Sequence, residues 1–419
     1  MPGSGAAGIG PAGGVAGGAA GPGAGPSTAT PSNAAAVLDG VWVGDGSRRF
    51  LVVERQYDAS HRHGRVPVSG ILPHAGGAWP GFPVLPGAPA AGEQPLLFLD
   101  LETTGLAGGA GTYAFLVGCA WFERDAFIVR QFLLSAFTAE AVLLRAVEQL
   151  AQRFGALVTY NGKSFDVPLL ENRLALHRMP GRLPDLPHVD LLHPARRLWS
   201  DPSGEGGGCR LVALESAYCG HDRVGDVPGF EIPARYFDFV RTGDAAPLAA
   251  VLEHNRLDLL TLAAMTAQAS ALLASGARGR SPREQLGAGR LLESAGHMEE
   301  AIACFAGAAA CADGASLVRA EALRRLALAL RRRRQFDGAA EAWQALLDNP
   351  ACPPAYAAEA AEALAVHHEH RRRDPARARE FAVRSIRHEA GPRGRALLEY
   401  RLARLNRKLG AADAGTLEW

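Results

Sequence analysis

The spacing of apolar positions changes character along this chain, and each change predicts a different kind of element. Residues 1–35 are almost wholly Gly, Ala, Pro and Ser without period, a composition that cannot bury a core and predicts a disordered tail. Two short β-type runs follow, at 41–43 and 50–53. They predict a small β-containing module over 36–92 that closes with a Pro/Gly-rich linker from about 72 to 93. Between 93 and 275, strand-type runs at 96–101, 113–122, 126–134 and 156–160 alternate with helical patterns at 139–153, 165–178, 209–219, 234–241 and 246–273. The first three strands are close enough for a meander. A helix–strand–helix unit after them predicts an α/β domain with a mixed sheet flanked by helices.

From 282 to 412 the pattern is helical and repetitive. Ser281-Pro282-Arg283-Glu284 has the N-cap, N1 proline and capping acid of a first helix. The segment 298–305 recurs at 336–343 and, more weakly, at 374–378, with Ala382 in the slot held earlier by Phe305 and Trp343. Alanines 301, 339 and 378 are 38 and 39 residues apart, a few residues beyond the tetratricopeptide period. The array resembles three degenerate tetratricopeptide-like hairpins with a capping helix near 396–407. A surface of that kind is expected to take a protein partner.

Composition narrows the class. With 44 basic and 43 acidic residues, a global polyanion attractor is excluded, so any nucleic-acid site is a local groove. The six cysteines form no C-x-x-C pair or zinc spacing, and read as buried free thiols. No apolar stretch is expected to reach the length of a membrane span, and no signal-peptide pattern opens the chain. The expectation is a soluble, cytoplasmic protein with no membrane partner.

Candidate chemistry begins at Leu97-Phe98-Leu99-Asp100-Leu101-Glu102-Thr103-Thr104-Gly105. On a strand, Asp100 and Glu102 share one face, and two buried charges there are costly unless a cation lies between them. Hard divalent cations take such oxygens. Asp166, in Asn161-Gly162-Lys163-Ser164-Phe165-Asp166, falls in the first turn of a helix, where a carboxylate is also favoured by the helix dipole alone. His254 and Asp258 stand i, i+4 on one helix face; a surface pair is the plain alternative, but Leu257, Leu259 and Leu260 argue that Asp258 points inward.

Taken in order, Asp-x-Glu, Asn-x-x-x-Phe-Asp and a last helical Asp resemble the DEDD exonuclease superfamily, which has a ribonuclease-H-like fold. Gly108-Gly109-Ala110-Gly111-Thr112-Tyr113, His188-Val189-Asp190-Leu191-Leu192-His193 and Val224-Gly225-Asp226-Val227-Pro228-Gly229 are similar to the YprB-like ribonuclease-H-like family of bacteria. That resemblance implies a metal-dependent nuclease, a 3′→5′ exonuclease acting on DNA or RNA. It makes Asp100, Glu102, Asp166 and Asp258 ligands of two Mg²⁺ or Mn²⁺ ions about 3.5–4 Å apart. His254 has the residue type of the histidine subgroup and the spacing of the tyrosine subgroup, and would serve as the base. Thr103, Thr104 and Gly105 would lie along the substrate end, with Asn161 and Lys163 at sugar or phosphate; Asn-Gly is equally a turn signal. Two alternatives stay open: a scaffold that binds nucleic acid without cutting, and a structure-selective endonuclease.

Lesser signals have structural readings. Asp190 is expected to cap the helix that follows it, and His61-Arg62-His63-Gly64-Arg65 to be a solvated loop. His367-His368-Glu369-His370 is expected to be an exposed polar helix end. The arginine runs 331–334 and 371–373 are expected to meet across the repeats, serving helix C-termini or a phosphate-binding edge.

Overall fold

In the computed structural model, residues 33–73, 79–89, 95–105, 111–200, 208–276, 278, 280–310, 316–388 and 392–415 are described. The tail predicted over 1–35 therefore lies outside the described residues, except that a helix, α1 (Ala34–Leu38), begins inside its expected end.

The strands are β1 (Val41–Val43), β2 (Phe50–Tyr57), β3 (Arg62–His63), β4 (Val66–Pro67), β5 (Leu96–Thr103), β6 (Ala114–Glu123), β7 (Ala126–Leu133), β8 (Ala156–Thr159) and β9 (His188–Asp190). Seven form one sheet in the order β1-β2-β7-β6-β5-β8-β9, while β3 and β4 make a separate hairpin. The β5-β6-β7 meander is antiparallel, and β8 and β9 add to β5 in parallel, giving the mixed sheet that the pattern predicts. The 36–92 segment is not a separate module. β2 pairs with β7 over seven residue pairs from Leu51↔Leu133 to Tyr57↔Phe127, extending the same sheet. Nor is the described part of the 72–93 stretch a loose linker: Trp79, Phe82 and Leu85 are buried, and Trp79 packs edge-on against Phe98 and Phe122.

Helices α2 (Glu140–Ala151), α3 (Asp166–Leu176), α4 (Leu192–Leu198), α5 (Leu211–Leu214), α6 (Ile232–Thr242) and α7 (Leu248–Ala274) cover the sheet, and a π-turn at Glu215–Cys219 continues α5. Alternation along β5 separates the two faces. Leu97, Leu99 and Leu101 pack into one core, while Leu96 and Phe98 pack into the other with the later turns of α7. Asp100 and Glu102 share the parity of Phe98 and so belong to the face of α7.

Helix α7 corrects one expectation. Its 27 residues are long and apolar enough to cross a membrane by length and composition, yet 72% of its most apolar window is buried within the protein. It is apolar on nearly all sides because it is the core helix shared by the sheet and the repeats.

The C-terminal region is all helical: α8 (Pro282–Ser294), α9 (Met298–Ala310), α10 (Leu317–Arg332), α11 (Phe336–Leu347), α12 (Pro354–His367), α13 (Pro375–His388) and α14 (Pro392–Gly415). Successive helices pack as hairpins, and the capping box at Ser281 and Glu284 starts the array. Alanines 301, 339 and 378 are buried where helices approach closely. The 367–370 segment is not an exposed end. His368 stacks on Phe381, and Glu369 is fully buried under α14, where Arg404 and Lys408 donate to it at 2.6 and 2.9 Å. The arginine runs do meet, but mostly on acids and rings: Arg332 on Glu293, Arg333 on Glu299, Arg372 on Asp337, and Arg371 over the Phe336 ring.

Candidate active site

The site forms at the carboxyl ends of the parallel strands β5 and β8, where chain reversal opens a crevice. Asp100 and Glu102 come from the end of β5, just before an irregularity in its pairing with β6 at Glu102 and Thr103. Asp166 opens α3 after the β8 turn, and Asp258 descends from α7. All four are half-buried.

Their electrostatics show that they lie close enough to feel one another's charge. Burial first, then the charges of Asp258, Glu102 and Asp166, hold the Asp100 carboxyl well above the usual carboxylate range. Glu102 is likewise well above it, through burial and then Asp258, Asp166 and Asp226, with Arg223 opposing. Asp166 is pushed up to about 7, by burial in the first place, while backbone hydrogen bonds at Asp166 and Leu101 oppose the rise. Burial also raises Asp258, against the pull of Arg223 and His254. The donor set is all oxygen, mutually repelling and short of positive charge, which fits hard divalent cations. The four stand apart rather than closed on a point: among the described residues, His63, Glu215 and His221 are the only three ligating groups whose atoms come within 4.8 Å of one another.

Asp100 is fixed by a buried polar chain absent from the sequence reading. Asn255 Nδ2 donates to Asp100 Oδ2 at 2.8 Å, and Gln131 Nε2 donates to Asn255 Oδ1 at 2.8 Å. Asp100, Gly118 and Gln131 are cross-strand neighbours on β5, β6 and β7, and Asn255 lies over Gly118. A Cβ at position 118 would collide with the Asn255 amide, so glycine is the residue that lets the chain pass.

A second group surrounds Asp258. The Arg223 side chain, 3% exposed, donates to Asp258 Oδ1 at 2.5 Å, to Glu215 Oε2 at 2.5 Å and to Asp226 Oδ2 at 3.2 Å. His254 Nδ1 lies 2.8 Å from Asp226 Oδ1, and its Nε2 is 3.6 Å from Asp258 Oδ2. Both ring nitrogens thus face carboxylate oxygens, which only accept, and Arg223 Nη1 lies 3.4 Å from Nδ1. The Arg223–Asp258 and His254–Asp226 contacts escaped sequence reasoning because these partners lie 35 and 28 residues apart. A signal for Asn255 was present: it occupies the apolar face of α7 between Val251 and Leu259, where a polar side chain needs a partner.

The remaining predicted residues stand at the ends of β5 and β8 and in the turns that follow them. Thr103 Oγ1 donates to the Gly105 carbonyl at 3.0 Å, and Thr104 Oγ1 accepts from Tyr113 N–H at 2.9 Å, so both hydroxyls shape the turn. Among the described residues other than its chain neighbours, no atom comes within 4 Å of where a Gly105 Cβ would be. Asn161 is in the left-handed region at φ +68° and serves the turn, with its N–H on Asp190. Lys163 is exposed, and its ammonium lies beside Gly87. Asp190 accepts from the N–H groups of Asn161, Lys163 and Leu192, so it clamps the β8 turn as well as starting α4. Within Gly108–Tyr113, positions 108–110 lie outside the described residues.

Comparison with known proteins places this geometry. Residues 97–270 match the family described as the RNase_H superfamily. Over 216 residues the chain is 38% identical to the uncharacterized protein YprB of Bacillus subtilis (strain 168), covering 51% of each chain. The chain thus spans about half the length of the curated relative it matches. The family B DNA polymerase of the hyperthermophilic archaeon Pyrobaculum calidifontis is similar at 15% identity and a TM-score of 0.33, over 52% of this chain and 29% of that one.

Proposed function

From a ribonuclease-H-like domain of the YprB type, carried by residues 97–270, we propose that this protein is a divalent-metal-dependent nuclease that cuts phosphodiester bonds. The observation that carries the reading is the set of Asp100, Glu102, Asp166 and Asp258, gathered in one cleft with each carboxyl raised above its ordinary range. Four like charges with too few counter-charges are a standing cost to the fold unless cations complete them. Those four carboxylates would hold two Mg²⁺ or Mn²⁺ ions. When bound, such ions supply activation of the attacking water and stabilisation of the leaving oxygen.

The chain's own groups complete the chemistry. Asn255 aims Asp100, and Arg223 fixes one oxygen of Asp258. Asp226 orients the His254 ring through Nδ1, and Nε2, beside Asp258, would be the nitrogen that takes a proton from the attacking water. Thr103, Thr104 and Gly105 would border the substrate end, with Asn161 and Lys163 near sugar or phosphate. A 3′→5′ direction on DNA or RNA follows from the likeness to DEDD exonucleases, and the helical repeats would hold a protein partner or guide the strand.

The Arg223–Asp258 pair favours a second reading, a binding module in which the guanidinium replaces a cation at the fourth carboxylate. End-labelled single- and double-stranded DNA and RNA, incubated with Mn²⁺, Mg²⁺ or EDTA, separate the two. Metal-dependent loss of label from the 3′ end supports the exonuclease, and internal cuts support an endonuclease on the same site. Tight binding without cleavage in either metal supports the module and removes the nuclease.

A further inference from the structure

A second cluster of ligating side chains lies behind the carboxylate cleft and has no part in the proposed hydrolysis. His63 comes from the β3–β4 hairpin, Glu215 from the first residue of the π-turn, and His221 from the loop after it. One ligating atom from each falls within 4.8 Å of the others. The His63 side chain is 3% exposed and that of Glu215 is fully buried.

The arrangement combines an ion pair with an under-used oxygen: against the effect of burial, His63 and Arg223 hold the Glu215 carboxyl below its ordinary range. Glu215 uses Oε2 for Arg223, while its buried Oε1 has no aligned hydrogen-bond partner. That oxygen nevertheless lies 3.0 Å from His63 Nε2, which is also 2.9 Å from Thr261 Oγ1. Two donors bound to one tetrahedral zinc at about 2.0–2.1 Å are roughly 3.3 Å apart, close to the spacing found here. The His63 and His221 rings lie 4.9 Å apart between centroids, and His221 is half-buried.

The backbone holds the ligands in place. Arg65 N–H donates to the Cys219 carbonyl at 2.6 Å, and Gly64, at φ +58°, lies so close to that carbonyl that a Cβ would collide with it. The hairpin is thereby docked on a π-turn, a device frequent at functional sites.

We propose that His63, Glu215 and His221 form a site for a borderline transition-metal ion of the zinc class. It is distinct from the all-oxygen cleft in its ligand chemistry and pins the β3–β4 hairpin to the domain. Two imidazoles and one carboxylate suit zinc, whereas the carboxylate cleft suits Mg²⁺ or Mn²⁺. The link between them is Arg223, which touches both Glu215 and Asp258.

The test is titration of the metal-free full-length protein with Co²⁺, read by its visible d–d absorption, followed by displacement with Zn²⁺. The expected result is one equivalent of Co²⁺ with tetrahedral-type intensity, kept in Asp100→Asn and weakened at least about 100-fold in His63→Ala and His221→Ala. Should His63→Ala fail to fold, the less buried His221→Ala decides alone, with circular dichroism checking its fold. Absence of such absorption in the wild type, unchanged binding in folded His221→Ala, or loss of the band in folded Asp100→Asn overturns the proposal. None of these results depends on whether the protein cuts nucleic acid.

Discussion

The carboxylates gathered at the end of β5 and those of the helical repeats are both buried, and the chain treats them in opposite ways. In the repeats, Glu369 has no exposed side-chain surface, yet Lys408 and Arg404 hold it below the ordinary range against the effect of burial. Glu321 is lowered likewise, by Tyr356 at 2.6 Å and Arg325 at 2.8 Å. At the end of β5 and the start of α3, Asp100, Glu102 and Asp166 face other acids and all are raised, whereas Glu215 of the same domain, held by Arg223 and His63 against the effect of burial, is lowered like the repeat acids. Burial of an acid is therefore not what marks a functional site here. For a hard-cation site of several carboxylates the mark is the missing counter-charge, which the chain supplies to Glu321 and Glu369 and withholds from Asp100, Glu102 and Asp166.

The largest effect that would break this contrast is on activity. Asp100→Asn removes a cation ligand while keeping an acceptor for Asn255. Cleavage is expected to fall by about 10³-fold or more in a gel assay of end-labelled substrate. The same substitution should raise the melting temperature of the metal-free protein, by about 2–4 °C for each kcal/mol of repulsion relieved. Lower activity with lower metal-free stability would mean that the carboxylates are structural.

Next in size is His254→Ala. If Nε2 takes the proton, the single-turnover rate should drop about 10²-fold, and Asp226→Asn should lower it less. An unchanged rate in His254→Ala removes the base assignment and leaves the carboxylates as they are.

In the repeats, Glu369→Gln leaves Arg404 and Lys408 facing a neutral amide. Because both cations are partly exposed, the expected cost is about 1–2 kcal/mol in chemical denaturation, with cleavage unaffected. An effect on cleavage would couple the repeats to the site.

The pH dependence separates the two sets of acids by sign. Unfolded carboxyls titrate near pH 4. The cleft acids have folded values above that, Asp166 at about 7, so the folded state binds more protons and metal-free stability falls as pH rises from about 5 to 8. Glu321 and Glu369 have lowered values, so their contribution is present above the ordinary range and is lost as pH falls through the lowered value. Thermal melts with EDTA should lose stability toward pH 8 and regain it with Mn²⁺. A flat profile between pH 5 and 8 would contradict the raised cleft values.

How much of this was legible in the sequence follows the range of each interaction. Period-two spacing put Asp100 and Glu102 on one face, and apolar neighbours turned Asp258 inward, because both signals are local. Joining β2 to β7 is a pairing between residues about 75 apart, which no local pattern announces, so the 36–92 segment read as separate. β9 has three residues, too few for a period; the extent of α7 was legible, but its apolar character over a span's length was not, because polar residues interrupt the run. Arg223 stood in a loop among prolines and glycines, where nothing nearby signals that its side chain is buried. His63 read as part of a solvated loop for the same reason; its partners Thr261 and Glu215 are about 200 and 150 residues away.

The central claim is that the cleft carboxylates await cations, and counting Mn²⁺ tests it most directly. Metal-free protein, with the imidazole site filled beforehand by one equivalent of Zn²⁺, is titrated while free Mn²⁺ is followed by electron paramagnetic resonance. The account predicts two bound Mn²⁺ per chain in the wild type and weakened binding in Asp100→Asn. A wild-type protein that binds no Mn²⁺ at millimolar concentration, or an Asp100→Asn variant that binds it equally well, would contradict the account.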